Sequence, residues 1–76
     1  MARVFVLRVR RTASVHSLAS ALQHYTGLTL PEARRAVERA QAGERVELEL
    51  DDEYAAYDLA SLLSDLGASS DVDESL

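Results

Sequence analysis

The sequence predicts a two-layer α+β sandwich, in which three helices cover one face of a small three-stranded, mostly antiparallel sheet in the order β-α-α-β-α-β. Three observations lead to this fold class. Apolar residues recur at spacings of three and four in three segments, which is typical of amphipathic helices. A β-branched run opens the chain, and residues 45–50 alternate between apolar and charged side chains. Because every helix stripe must be buried, one common sheet face serves all three helices.

Length and composition predict one small globular domain. The chain has 76 residues, of which 47% are hydrophobic and 28% are charged, so it can bury a core and stay soluble. We expect residues 1–72 to form the domain and residues 73–76 to form a frayed acidic tail. The absence of cysteine excludes disulfides and thiolate metal sites. No apolar run approaches the roughly 20 residues of a membrane span, so we predict a cytoplasmic protein without a membrane partner.

The first strand carries apolar side chains on both faces. Its period of two places Val4 and Val6 on one face and Phe5, Leu7 and Val9 on the other. Whichever set does not meet the helices is open to water, which favours a partner or a weak homodimer through the open sheet face. Burial under the tail or under a neighbouring side chain is the alternative.

Capping residues and glycines mark the helix boundaries. Ser14 is placed to cap the first helix, and Gly27 ends that helix by accepting a positive φ. Gly43 stops the second helix, and either Asp51 or Asp52 caps the third. The chain is therefore divided into elements by local signals alone.

The third helix carries two tyrosines and leads into a final strand. Tyr54 and Tyr57 are three residues apart, and we expect them to edge the core, with a contact face on the surface as the alternative. Residues 68–72 are expected to form a short, weak strand that completes the sheet.

Charge is divided unevenly along the chain. The first 43 residues contain seven arginines and two acids, a net charge of +5, whereas the remainder contains one arginine and eleven acids, a net charge of −10. In a domain this small the two halves interleave in space, so mutual pairing is the simplest account. The alternation predicts that Arg8 and Arg10 share a face with Glu47 and Glu49 of a neighbouring strand and pair with them.

The most informative stretch, residues 26–38, joins the first two helices at a sharp corner. Thr29 and Glu32 have capping-box spacing, and Pro31 suits the first turn of the helix that begins at Leu30. The stretch reads Thr-Gly-Leu-Thr-Leu-Pro-Glu-Ala-Arg-Arg-Ala-Val-Glu and resembles a signature of the C-terminal domain of the bacterial ribosomal stalk protein. Clp protease adaptors, which share that fold, are similar more loosely. The resemblance implies the same element order and a free-standing relative of the stalk domain.

The resemblance also implies a protein-binding surface on the first two helices, where stalk domains recruit translation-factor GTPases to the ribosome. The residues favour the same corner, because a mixed polar rim around exposed leucine is common in protein interfaces. The candidate partner-binding residues are Gln23, His24, Leu28, Leu30, Glu32, Arg34 and Arg35. The alternative is that Leu28 packs onto Ala33 while the arginines only solvate the helix. The sequence thus predicts a small non-catalytic protein-interaction module whose partner it does not identify.

Two other functions compete with this prediction. Arg8, Arg10 and Arg11 would suit a nucleic-acid-binding regulator, but a net charge of −5 disfavours contact with phosphates. The second is a Clp-adaptor-like delivery protein. Adaptors follow their first strand with an asparagine and an aspartate that hold a free amino terminus, whereas residues 10–13 here are Arg-Arg-Thr-Ala. A positive charge repels an α-amino group, so only delivery through another surface stays open.

Residue patterns of enzymes and metal sites are not found in the chain. His16 and His24 share the first helix with Ser14, Ser17 and Ser20, but no glycine-rich turn displays a serine nucleophile. The two histidines are eight residues apart rather than four, which does not suit a shared metal ion. We therefore predict no enzyme activity, no metal and no cofactor.

Overall fold

The computed structural model describes residues 2–74 and contains the predicted elements in the predicted order. In chain order they are β1 (Ala2–Val9), α1 (Val15–Thr26), α2 (Leu30–Gln41), β2 (Val46–Leu50), α3 (Glu53–Asp65) and β3 (Ala68–Glu74). The three strands form one sheet, and the three helices pack on one of its faces. The predicted α+β sandwich is confirmed.

The sheet has the strand order β2-β1-β3, and β1 pairs antiparallel with both neighbours. The register places Val4 opposite Leu48 of β2 and opposite Val72 of β3. Val4 is fully buried, and Leu48 is nearly so. The side of the sheet that includes these residues therefore faces the helices, and β1 is the only strand that is protected along both edges among the described residues.

A β-bulge in β1 changes which face its last residues occupy. The register between β1 and β3 shifts between Val6 and Arg8. As a result Leu7 and Arg8 are both exposed, whereas Val9 is buried with Val6. The prediction that Val9 shares a face with Phe5 and Leu7 was wrong, because one extra residue in a strand reverses the alternation beyond it.

The core is built from aliphatic side chains. The largest fully buried ones are Leu18, Leu22, Leu59, Leu63 and Val4. Within residues 2–73 no polar or charged residue is buried, so the interior demands few specific hydrogen bonds from side chains. No helix in that range has both the length and the apolar composition needed to cross a membrane.

The helix boundaries follow the predicted capping residues. The Ser14 hydroxyl accepts a hydrogen bond from the Ser17 amide at 3.2 Å, and the carboxylate of Asp52 accepts one from the Tyr54 amide at 3.0 Å. Of the two predicted candidates, Asp52 is therefore the cap of α3. Gly67 follows α3 with φ of 96°, a conformation that favours glycine.

Both tyrosines of α3 lie on the surface, so the prediction that they edge the core was wrong. Tyr54 is 80% exposed and Tyr57 is 52% exposed. The sheet-facing side of α3 is occupied instead by Ala56, Leu59 and Leu63. At 100° per residue, Tyr54 lies about 200° around the helix from Ala56, which directs it away from the core.

The last strand is longer than expected. β3 continues through Glu74, with Asp73 opposite Arg3 of β1. Residues 73 and 74 therefore belong to the sheet rather than to the predicted frayed tail, and residues 75 and 76 lie outside the described range. Opposite charges across two antiparallel strands favour their pairing, although the ion pair that Arg3 forms is with Glu47 of β2.

We expect Leu59→Ala to lower the free energy of unfolding by about 2–5 kcal/mol, because it leaves a cavity beside a side chain that is 0% exposed. Tyr54→Ala on the same helix is the matched control and should change it by no more than about 0.5 kcal/mol. Urea unfolding followed by circular dichroism measures both values. Equal losses for the two variants would contradict the observed orientation of α3.

Candidate protein-binding site at the helix corner

The end of α1 is held by side-chain and backbone hydrogen bonds. The Thr26 hydroxyl donates to the Leu22 carbonyl oxygen at 2.6 Å and accepts from the Leu28 amide at 3.4 Å. Gly27 follows with φ of 73°, and its amide donates to the carbonyl oxygen of Gln23 at 3.3 Å. A side chain at Gly27 would meet no atom within 4 Å, so its positive φ, rather than crowding, is the reason for glycine there.

The start of α2 is held by a complete capping box. The Glu32 amide donates to the Thr29 hydroxyl oxygen at 3.3 Å, and the Glu32 carboxylate accepts from the Thr29 amide at 3.1 Å and from the Thr29 hydroxyl at 2.8 Å. These hydrogen bonds, that from the hydroxyl first, lower the pKa of Glu32, and the positive charge of Arg35 adds to the effect. The corner is therefore a rigid, locally determined turn between two helices.

A groove of about 550 Å³ lies beside this corner, between α2 and β2. We call it the α2/β2 groove. Its apolar lining consists of Leu28, Ala36, Val46 and Leu48. Its polar lining consists of Thr26, Glu32, Arg35, Arg39, Glu47, Glu49 and Asp51. The groove thus combines an apolar strip with charged walls.

The charges of the groove are arranged by element. Arg35 and Arg39 come from α2, whereas Glu47, Glu49 and Asp51 come from β2 and the residue after it. Arg39 pairs with Glu44 outside the groove, with 3.3 Å between Nε and Oε2. Arg35 has no carboxylate within ion-pair distance among residues 2–74. Arg35 therefore lines the groove without a direct ion pair, and its charge acts on Glu32 of the same helix.

The seven predicted partner-binding residues are divided by the structure. Leu28, Glu32 and Arg35 line the α2/β2 groove together. His24 lines a different groove, described below. Gln23, Leu30 and Arg34 line neither of these two grooves.

The leucines of the corner are less exposed than expected. Leu28 and Leu30 are both partly buried and pack against the core. The expectation of an exposed leucine surrounded by a polar rim is thus corrected: Leu28 contributes one side to the groove and the other to the core. A partner would contact an edge of Leu28 rather than the whole side chain.

A second groove of about 540 Å³ separates α1 from α3. Its lining combines polar residues of α1 with apolar residues of both helices, namely His16, Ser17, Ser20, Ala21, His24, Tyr25, Leu62 and Leu66. His16 and His24 are about 12 Å apart along the helix axis, too far to share one metal ion. Within residues 2–74 no three histidine, aspartate or glutamate side chains converge in a way that could hold a metal.

The outer face of the sheet is more polar than the alternation suggested. Arg3 pairs with Glu47 at 3.2 Å between Nε and Oε1, and the Arg45 guanidinium stacks over the Phe5 ring at 4.2 Å from its centroid. Leu7, which is 38% exposed, is the large aliphatic side chain that this face presents most openly within residues 2–74. A cation and an ion pair therefore cover much of the surface that was expected to be apolar.

The predicted pairing of Arg8 and Arg10 with the glutamates of β2 was wrong. The paired register between β1 and β2 ends at Val6, and it is Arg3 that lies opposite Glu49 and bonds to Glu47. The strand β2 is too short for the predicted pairing, because its five residues pair with residues 2–6 of β1 and do not extend as far as Arg8.

Sequence reasoning missed the residues that β2 and the second half of α2 contribute to the groove. A helical signal for part of them was present, because Glu32, Arg35, Ala36 and Arg39 are spaced at i, i+3, i+4 and i+7 and share one face of α2. The contribution of β2 had no such signal, because the sequence does not say which edge of the sheet α2 overlies.

We expect Thr29→Ala to raise the pKa of Glu32, since the variant removes its hydroxyl donor. Because the folded-state pKa is depressed, the stabilisation it represents is present above the unfolded-state pKa and is lost as the pH falls through the folded-state value. An NMR titration of the Glu32 carboxyl carbon in both proteins measures the shift. Ser20→Ala, an exposed change on α1, is the control. An unchanged pKa in Thr29→Ala would contradict the capping box.

Comparison with known proteins adds no relative at this point. No family model matches the chain, and no curated protein matches it. The likeness to the ribosomal stalk domain stays a prediction from residues 26–38, and the candidate site depends on the geometry described above.

Proposed function

We propose that this chain is a small non-catalytic protein-interaction module that binds a protein partner at the corner between α1 and α2, on the side that opens into the α2/β2 groove. The observation that supports this function best is the groove itself, which brings Leu28, Glu32 and Arg35 together beside a rigid corner. A preorganised cleft needs little ordering when a ligand binds, so more of its contact energy is available as affinity.

The composition of the groove supports a protein rather than a small substrate. Its apolar strip, formed with Leu28 and Ala36, offers contact area, while Arg35 and the acids of β2 offer charge selection at the rim. The serines and histidines named as catalytic candidates, by contrast, lie in or near the groove between α1 and α3, where His24 packs edge-on against Tyr25 at 5.2 Å between ring centroids. No carboxylate of a described residue lines that groove, so no group is placed there to orient a histidine as a general base.

The resemblance to the ribosomal stalk domain suggests which partner to test first. Translation-factor GTPases and the ribosome are the candidate partners that it implies. Stalk domains carry basic residues on their first helix that contribute to partner binding. When the two sequences are aligned at Thr26, Ser20 and Gln23 occupy those positions in this chain. In this proposal the α2/β2 groove, rather than a basic first helix, contacts the partner.

We expect Arg35→Glu to lose the partner captured by the wild-type protein from the native lysate, because the shorter side chain removes the guanidinium and the long apolar stem that line the groove from α2. Arg34→Glu is the matched control: it makes the same charge change one residue away, on an exposed side chain outside the groove. Quantitative mass spectrometry of captured proteins, followed by titration of the purified partner, measures the loss. We expect about tenfold weaker binding for Arg35→Glu alone.

Equal recovery of the partner by both variants would contradict binding through the groove. Equal loss in both would place the contact on the outer side of α2 instead. If the captured material were nucleic acid and an added polyanion displaced it, the exposed arginines Arg8, Arg10 and Arg11 would become the site to test. Thermal unfolding of each variant shows that a lost partner does not reflect a lost fold.

A further inference from the structure

The strand β2 has an open edge in the part of the chain that the structure describes. It pairs only with β1, because it is the outer strand in the order β2-β1-β3. No backbone hydrogen bond joins residues 46–50 to any described residue outside the sheet. In an antiparallel pair, alternate residues direct their N–H and C=O groups away from the partner. The outer edge of β2 therefore presents backbone groups that a further strand can pair.

This open edge runs along the α2/β2 groove. Four consecutive residues of β2, numbered 46–49, line the groove, and Arg35, Ala36 and Arg39 of α2 line it from the helix side. At about 3.3 Å per residue, the five residues of β2 extend over about 17 Å. A segment that lies in the groove in an extended conformation would thus be placed alongside the unpaired edge.

We propose that the partner of this chain supplies an extended segment that adds to the outer edge of β2 as a fourth strand, with apolar side chains directed into the α2/β2 groove and basic side chains on the opposite face. This inference rests on the proposed function, since it specifies what the partner places in that groove. Backbone hydrogen bonds supply the affinity in this mode of recognition, and alternate side chains supply the specificity.

The apolar positions of the segment follow from the inner face of β2. Val46 and Leu48 point to the helix layer and are 4% and 5% exposed, yet both still line the groove. On the helix side, Leu28 and Ala36 complete an apolar strip. Side chains of an added strand that alternate toward the helices would contact this strip. Branched aliphatic side chains suit it, because they pack well on the pleated surface of a sheet.

The basic positions of the segment follow from the outer face of β2. Glu47 and Glu49 are exposed there, and Asp51 lies just beyond the strand. Of these three acids, only Glu47 forms an ion pair with a described residue, and its partner is Arg3 of β1. Opposite charges directly across two strands stabilise their pairing, whereas like charges destabilise it. Lysine or arginine on the outer face of the added strand therefore matches β2.

The same charges disfavour a second copy of this chain as the occupant. One outer edge of the sheet carries Glu47 and Glu49, and the other, on β3, carries Asp71 and Asp73 opposite the outer-face residues of β1. Any edge-to-edge pairing of two copies would bring acids against acids, a device that keeps open strands from self-association. These charges therefore favour a basic strand from a different partner over a second copy of these residues.

The test uses a synthetic peptide of alternating lysine and valine, about six residues long to match β2, added to the complete chain. We expect its binding, measured by calorimetry, to slow amide hydrogen exchange at alternate residues of 46–50, as new backbone hydrogen bonds require. Failure of the peptide to bind, or binding that leaves exchange at these residues unchanged, would overturn strand addition.

Two N-methylated peptides test the backbone pairing directly. One is methylated on every valine and the other on every lysine. Because alternate residues of a strand direct their N–H groups to opposite edges, one peptide loses the hydrogen bonds to β2 and the other keeps them. We expect about tenfold or greater weakening for one of the two only. Equal effects of the two patterns, whether both bind or both fail, would overturn the proposal.

Charge exchange tests the specificity. Glu49→Lys should weaken the lysine-valine peptide by about tenfold and favour a glutamate-valine peptide, while Asp58→Lys on the exposed face of α3 makes the same charge change and should have little effect. Glu49→Gln, which cannot repel Arg3, keeps the test valid if the lysine variant is unstable. Equal effects at positions 49 and 58 would overturn the assigned register. If Arg35→Glu loses the native partner but the wild-type protein does not bind the lysine-valine peptide, the proposed function is retained. Only strand addition is then overturned.

Discussion

The central strand β1 is the constraint on which the rest of this structure depends. It pairs with β2 on one edge and β3 on the other, and it supplies Val4 and Val6 to the face that all three helices cover. Burying apolar surface contributes roughly 25 cal/mol per Å², and in a chain of 76 residues few other sources of stability exist. Without β1 the flanking strands would not be joined, and the helices would have no common surface to bury.

A bulge near the end of β1 lets the strand keep Val9 in the core while Arg8 stays exposed. Beyond Val6 the extra residue returns Val9 to the core and leaves both Leu7 and Arg8 on the outside. The exit of β1 is then tied to the end of α3, because the Arg10 amide donates to the Gly67 carbonyl oxygen at 2.9 Å. The strand therefore contributes to the core along its whole length, and Leu7 and Arg8 are left exposed at the bulge.

Two ion pairs among the described residues join the basic first half of the chain to the acidic second half, Arg3 with Glu47 and Arg39 with Glu44. The basic first half and the acidic second half meet where Arg3 pairs with Glu47 and lies opposite Asp73, and Arg45 covers the ring of Phe5. Such exposed contacts contribute little stability individually. In our proposal, the acids of both outer strands disfavour pairing with a second copy and select a basic segment at the edge of β2.

What the sequence determined by itself was everything that depends on neighbours along the chain. The strand and helix order, the capping box of Thr29 and Glu32, the glycine stops and the α+β class were all predictable, because periodicity and caps act within a few residues. Three of the seven predicted partner-binding residues were brought together in one groove for the same reason, since they belong to one corner and the helix that follows it.

Only the tertiary structure decided where these elements meet. The bulge that moved Val9 inward and the pairing of Arg3 rather than Arg8 with β2 each depend on strand register. The α2/β2 groove has the same origin, because residues 28–39 and 46–51 become neighbours only when α2 packs over the edge of the sheet. Contacts between distant parts of a chain are set by how all the buried faces pack at once, and no local pattern contains that information.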